Sequence, residues 1–541
     1  MTFVQYVKKG EIKLKLNKVL FIFALMLMAG LMVACGGGSG NNNDDGMNEE
    51  AKDNVNESGF PIVDDEITLK MFSSSNDSKD FNELPVWNEY EDMTNIKLDW
   101  VEQVTMESLA EKRNLALGGG SLPDVFFASD LSNSDLYKYG EQGTFLRLND
   151  LIDEFAPNLK AIMEEDPNIE KGMTFPDGNI YSMPGLRDND FLSIRIGARP
   201  WIDETWLEKV DMDIPETTDE FYEFLKAVKE ADNDMVPYSG VNMDNLVSWL
   251  QGAFGLSNTG ADYVDLDPEG DSLRFIQTSD EYRDMLEYIH KLYDEELIEQ
   301  NIFSIEWNQY MANAGDGKYA STVFFDPAST FDSDDFVSAT ALEGPNGDQL
   351  YTGVVPPLFN NGQFVITNEN PNPAATVRWM DYFYGDEGAR LMYMGIEGES
   401  YIEEDGEFRY TDEIENAEHR EDKMGEYVPW VGINPPGLVK EDYFSGSEAT
   451  EASIESADKI EPFVPEEIWS KFTYTKDETS FMNSTGNDIE KYVEEMRDKF
   501  ISGDESLDDS NWDSYIEAIE NMGLEEYMST QQSAYERYSD H

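Results

Sequence analysis

Apolar and polar positions alternate in EITLKMFSS (66–74), where Ile67, Leu69 and Met71 fall on one side, and again in IKLDWVEQ (96–103), with Ile96, Leu98 and Trp100. A period of two is that of a strand with a buried face. Between them DFNELPVWNEYEDMTN (80–95) reads as a helix. MESLAEKRNLALGGG (106–120) reads as another, ending in glycines suited to a C-cap. PDVFFAS (123–129) is a short apolar strand. Strand–helix–strand–helix–strand predicts parallel βαβ units and a doubly wound α/β sheet.

Beyond residue 200 helical spacing prevails. Thr217 and Glu220 form a capping-box pattern, and Phe221, Phe224, Leu225 and Val228 follow at the spacing of one buried helix face. SDEYRDMLEYIHKLYDEELI (279–298) is a further amphipathic helix. KYASTVFFDP (318–327) and GQFVIT (362–367) read as strands. Asn372-Pro373 supplies an N-cap and a proline at the first helical position for VRWMDYFYG. The segment SNWDSYIEAIENMGLEEYMSTQQSAYERY (510–538) is helical.

The first 35 residues have a different logic. Residues 1–18 carry five lysines and one acid, and 19–34 are apolar without charge. That is a secretory signal, and the run is shorter than the roughly 20 residues of a membrane span. The single cysteine, Cys35, follows directly. Val33-Ala34-Cys35 resembles a bacterial lipobox, with Met32 where leucine is usual, which implies acylation of Cys35 and a lipid anchor on the outer face of the cell membrane. Residues 36–64 are expected to be a flexible tether, since the Gly/Ser/Asn-rich part up to 59 is almost devoid of apolar residues.

Charge narrows the setting. Asp and Glu total 112 against 38 Lys and Arg, a net −74, and removing residues 1–35 makes it −78. The acids are dispersed, and 40% hydrophobic residues leave ample core. Such self-repulsion needs screening, so a high-salt, halophilic setting is expected. Nucleic acid is disfavoured as a partner for want of a basic face. Three dispersed histidines, His290, His419 and His541, and one cysteine exclude Cys/His zinc sites and disulfides. No cofactor or metal is expected. A body of roughly 480 residues calls for at least two domains or lobes.

Several stretches together resemble one family: LALGGGSLPDVFFAS, YGEQGTFLRLNDLIDEFAPNLKAI, FPDGNIYSMPG, WLEKVDMDIPETTDEFYEFLKAVKE and NPAATVRWMDYFYGDEGARLMYMGIEGESY. The chain is similar, over about residues 65–538, to family 1 extracellular solute-binding lipoproteins of ABC sugar importers, and most to their long LplA/LipO-like subgroup. The resemblance implies two hinged α/β lobes of the type II periplasmic-binding-protein-like fold, about 65–185 plus 358–395 and about 190–357 plus 396–541. It also implies a monomer that binds a carbohydrate, an oligosaccharide in this long subgroup, and docks on permease subunits. A sensory lipoprotein and a tethered glycosidase stay open as alternatives. No catalytic signature supports an enzyme.

Ligands of open α/β sheets sit beyond the carboxyl ends of strands. That rule selects Ser74 and Asn76 after the first strand, Asp130 after VFFA and Asp326 after TVFF. Each could equally serve a turn or an N-cap. Aromatic candidates for stacking on sugar faces are Trp249, Tyr401 and Trp430. Trp430 lies in a Pro/Gly loop, whereas Trp249 has apolar neighbours that favour core packing. Arg187 and Arg195 are rare cations near the first lobe crossing, placed to hold a ligand or to neutralise neighbouring acids. DLDPEGD (265–271) has acids at calcium-loop positions 1, 3, 5 and 7 and glycine at 6, but position 12 is Ile276, so a hairpin turn is the better reading. GDGKYAS (315–321) lacks the first P-loop glycine, with Ala312 in its place.

Overall fold

The computed structural model describes residues 52–75, 79–268, 270, 272–404, 406–429 and 435–540. Cys35, Asn76 and Trp430 lie outside them.

The alternating stretches form the strands they predict. β1 (Ile67–Ser75), β2 (Ile96–Thr105) and β3 (Val125–Phe127) pair in parallel, with β1 in the middle. Helices Pro85–Thr94 and Met106–Gly118 make the two crossovers. β4 (Met183–Arg187), β10 (Leu358–Ile366) and β13 (Gly437–Val439) complete a six-stranded sheet in the order β13-β4-β10-β3-β1-β2. β10 is antiparallel to both its neighbours, whereas β13 is parallel to β4. The directions follow from the path of the chain. β4 and β13 lead out of this sheet, and β10 returns to it, so it runs the other way.

Period-two side chains cover both faces. Leu69, Met71, Val125, Phe127, Phe364 and Ile366 enter a large core on one side. Phe72, Phe126 and Val365 enter a smaller one on the other. Trp87 stacks on Trp379 at 5.9 Å in the larger core.

A second large core surrounds a small antiparallel sheet of β5 (Arg199–Asp203), β8 (Ser321–Phe324) and β9 (Phe336–Ser338), with β5 central. The hairpin β6 (Val264–Leu266) and β7 (Leu273–Phe275) stands where DLDPEGD predicts a turn. Helix Thr218–Ala231 begins with the capping box of Thr217 and Glu220, and Phe221, Phe224, Leu225 and Val228 are all buried. Helices Asp280–Asp294, Asn487–Ser502, Asp509–Met522 and Leu524–Asp540 add to this core. The last two replace one expected helical segment, interrupted at Gly523 with φ +120°.

Two segments differ from expectation. Residues 52–64 do not behave as tether: Ile62 and Val63 are buried in the first core, and Arg378 donates to the Gly59 carbonyl at 2.7 Å. Composition hid this because few apolar residues suffice to dock a short segment. Residues 396–444, which the resemblance groups with the second lobe, contribute Tyr401, Ile414, Val428, Val439 and Phe444 to the first core. There β11 (Tyr401–Glu404) and β12 (Glu407–Tyr410) form a hairpin.

Candidate functional site

The loop after β3 holds two left-handed non-glycine residues within three positions. Ala128 (φ +49°) and Asp130 (φ +48°) both adopt left-handed conformations. For residues other than glycine this costs about 1–3 kcal/mol each and persists only where surrounding bonds impose it. Those bonds are present. Ser74 Oγ donates to the Ala128 carbonyl at 2.5 Å, and Ser129 Oγ to the Gly362 carbonyl at 3.1 Å. Arg113, nearly buried on helix Met106–Gly118, donates Nη1 to the Ser129 carbonyl at 2.5 Å and to that of Asp130. Leu131 N–H reaches the Gly362 carbonyl at 3.0 Å. An added Cβ at Gly362 would strike the Leu131 carbonyl oxygen, so only glycine permits this approach. The outcome is an exposed Asp130 whose Oδ1 accepts from Asn360 Nδ2 at 2.6 Å. A carboxylate accepts about four hydrogen bonds, so Asp130 retains capacity for further donors. Ser74 is 1% exposed and its hydroxyl is used by the loop, which makes it a support.

At the same end of this sheet the chain crosses between the cores. The first crossing runs through helix Leu192–Ile196, the second through 353–358 and the third through 440–453. They are joined by backbone acceptors. Arg195 N–H and carbonyl groups face Val355: Val355 N–H donates to Arg195 O at 2.9 Å, and Arg195 Nε to Val355 O at 3.1 Å. Arg187 Nη1 donates to Ile194 O at 3.1 Å, its backbone N–H donates to Pro357 O at 2.9 Å, and its guanidinium lies 5.0 Å from the Phe359 ring. Arg199, 0% exposed, donates to the carbonyls of Ser193, Gly197 and Ser453 and to the Ser193 hydroxyl. Ser193 Oγ donates to Glu448 O. Among the described residues none of the three arginines makes an ion pair. Burial pushes the pKa of each down, and carbonyl dipoles offset part of that desolvation. Arg187 and Arg195 thus serve the crossings, with neighbouring acids playing little part.

The second sheet turns its matching end to the crossings. Arg199, where β5 begins, pairs with Phe324, where β8 ends. Beyond it Asp326 is 3% exposed and caps helix Pro327–Phe331, accepting from Ala328 N–H at 3.1 Å. Trp307, the first residue of helix Trp307–Gly315, is 53% exposed with Phe324 behind it at 5.5 Å. Trp249 has no free face: it is 2% exposed, edge-on to Phe221 at 4.9 Å, with Nε1 donating to the Thr340 carbonyl at 2.9 Å. Tyr401 is buried in the first core, its hydroxyl accepting from Arg390 Nε at 3.1 Å.

The structure therefore brings Ser74 and Asp130 together at one sheet end, places Arg187 at the end of β4 bonded to two crossings, and sets Asp326 beyond the end of β8 in the second sheet. Trp249 and Tyr401 lie in separate cores. Asn360 and Trp307 escaped the sequence reading. The available signal for Trp307 was a tryptophan opening a polar run, EWNQ.

The family model of bacterial extracellular solute-binding proteins matches residues 77–390. The fructooligosaccharide ABC transporter substrate-binding protein FusA of Streptococcus pneumoniae is 26% identical over 95% of this chain and 97% of its own. Lipoprotein LipO of Bacillus subtilis is 25% identical over 82% and 86%. A solved structure of FusA, an EF-hand mutant in complex with fructo-nystose, superposes with a TM-score of 0.68 at 24% identity, covering 87% of this chain and 99% of that one.

Proposed function

This chain belongs to the bacterial extracellular solute-binding protein family, and from that membership we propose that it captures an oligosaccharide outside the cell and hands it to the permease of an ABC transporter. The observation that carries the reading is the strained 128–130 loop, which fixes the Asp130 carboxylate beside Asn360 at the strand ends. Carboxylate and amide together accept from and donate to sugar hydroxyls. An exposed indole at the start of helix Trp307–Gly315, Trp307, backed by Phe324 at the end of β8, supplies an apolar surface for a ring's C–H face. The crossings, joined by hydrogen bonds to backbone carbonyls, act as the hinge, and ligand bound to both sides favours the closed form. The protein performs no chemistry on its ligand. It works as a monomer, held to the outer membrane face by lipid on Cys35.

Calorimetry against fructooligosaccharides and a panel of other plant and microbial oligosaccharides tests this. Saturable binding without turnover of labelled sugar is expected. Asp130→Gly keeps the left-handed backbone and deletes the carboxylate, so it weakens affinity at least about tenfold, ~1.4 kcal/mol. A wild-type protein that binds peptides and no sugar would overturn the substrate class. Cys35→Ser is expected to release the protein from membranes, and unchanged lipid labelling of that variant would refute the anchor.

A further inference from the structure

Asp265, the first acid of the DLDPEGD stretch, lies on β6 of the β6–β7 hairpin and already has a cation. Asp265 and Arg274 sit directly opposite each other in the antiparallel register. Arg274 Nε donates to Asp265 Oδ1 at 2.6 Å and Nη2 to Oδ2 at 3.0 Å, so the planar guanidinium grips both oxygens. Nη2 also donates to the Gly255 carbonyl at 2.6 Å, and Nη1 lies 3.9 Å from Glu281 Oε2. The Asp265 side chain is wholly buried, and its Oδ2 accepts from Asn258 N–H at 3.3 Å.

In a calcium loop the acid at the first position and a bidentate glutamate at the twelfth clasp the ion. Here the twelfth residue is Ile276, 1% exposed in the second core, and the tenth is Arg274. A calcium ion at Asp265 would have to expel a guanidinium whose side chain is only 16% exposed and leave it without its carboxylate. We infer that Arg274 stands in this hairpin as a built-in replacement for a metal ion, so that the loop takes no calcium. The fixed cation has a structural task. Its hairpin buttresses helix Leu524–Asp540: Leu273 N–H donates to Gln532 Oε1 at 3.2 Å, and Phe275 meets Tyr527 edge-on at 5.5 Å.

The test is thermal melting and calorimetric calcium titration of the whole protein in molar sodium chloride, which suppresses diffuse binding of cations to so acidic a chain. Melts in chelator, calcium and magnesium are expected to coincide, and calcium to give no saturable heat. A one-site calcium isotherm, or a melting temperature several degrees higher in calcium than in magnesium, would overturn the inference. Arg274→Gln and Asp265→Asn are each expected to lower the melting temperature by several degrees, and the double variant by no more than the worse single one, because the pair acts as a unit. Losses that add would show the two groups to be independent. The wild-type titration decides the calcium question even where a variant fails to fold.

Discussion

Two tryptophans show how a residue's surroundings decide its role. Trp249 is enclosed by Phe221 and the Thr340 carbonyl, whereas Trp307 has Phe324 behind it and more than half of its surface open. Trp249→Ala is expected to destabilise by roughly 3–5 kcal/mol, the cost of emptying a core site of that size. Trp307→Ala is expected to shift stability by no more than about 0.5 kcal/mol while weakening sugar binding at least about tenfold. Paired melts and calorimetry check both, and a Trp307 variant that binds as wild type would remove the ring from the site. The strand-end rule correctly placed Asp130 beyond the end of β3, because position at a strand's carboxyl end is a local property. Exposure of an indole is not local. It depends on which elements pack against it: apolar neighbours in the chain pointed Trp249 to the core, but Tyr401 and Trp307 could not be sorted in that way.

Elements were legible where period and length agreed. The βαβ run, the helix opened by Thr217 and Glu220, and the β6–β7 turn all follow from spacing that a few residues carry. The antiparallel course of β10 was not legible, since it follows from the chain leaving by β4 and returning, a fact of topology. Neither was the left-handed backbone at Ala128, a residue with no special tolerance for it. That conformation is imposed by β10, through Gly362, and by Arg113. Gly362→Ala should therefore do more than add a methyl group. The Cβ meets backbone, which cannot swing aside, so Leu131 or β10 must shift at a cost of about 1–3 kcal/mol. The displaced 128–130 loop would then misplace Asp130. The expected outcome is a lower melting temperature together with a loss of sugar affinity exceeding that of a purely destabilising core variant. Full affinity in a folded Gly362→Ala protein would show that the loop's strain is irrelevant to binding.

Over the whole molecule the governing quantity is charge. Bases are so scarce that several are shared: Lys423 contacts Glu413 and Glu426, Arg409 contacts Glu404 and Asp412, and Arg283 contacts Glu287 and Asp509. With 112 acids and 38 bases, carboxylates far outnumber the cations that could pair with them and repel one another. Added sodium chloride shortens the reach of that repulsion, from about 10 Å at 0.1 M to about 3 Å at 1 M, so the melting temperature should climb with salt. Acid should act in the same direction. Burial raises the pKa of Asp381 to about 6, and also raises those of Asp124, Asp203, Asp262, Glu490 and Asp498. A carboxyl group that binds its proton more tightly when folded adds stability below its unfolded pKa, and that stability is lost as pH rises through the folded value. Lowering pH from neutrality through about 6 should thus stabilise the protein at low salt. Asp386 and Glu478 are shifted down despite their burial, by Tyr443 and Lys440 in one case and Arg537 in the other, and lose their partners' support only at lower pH. The two effects share part of their cause, and this makes a sharper test than either alone. In molar salt the long-range share of the acid response is screened, and only the share due to burial remains, so the rise in melting temperature on acidification should be smaller than at low salt but not zero. A melt indifferent to salt at neutral pH would mean that the acids are compensated locally after all, and an acid response as large in molar salt as without it would mean that the buried carboxyls alone account for it.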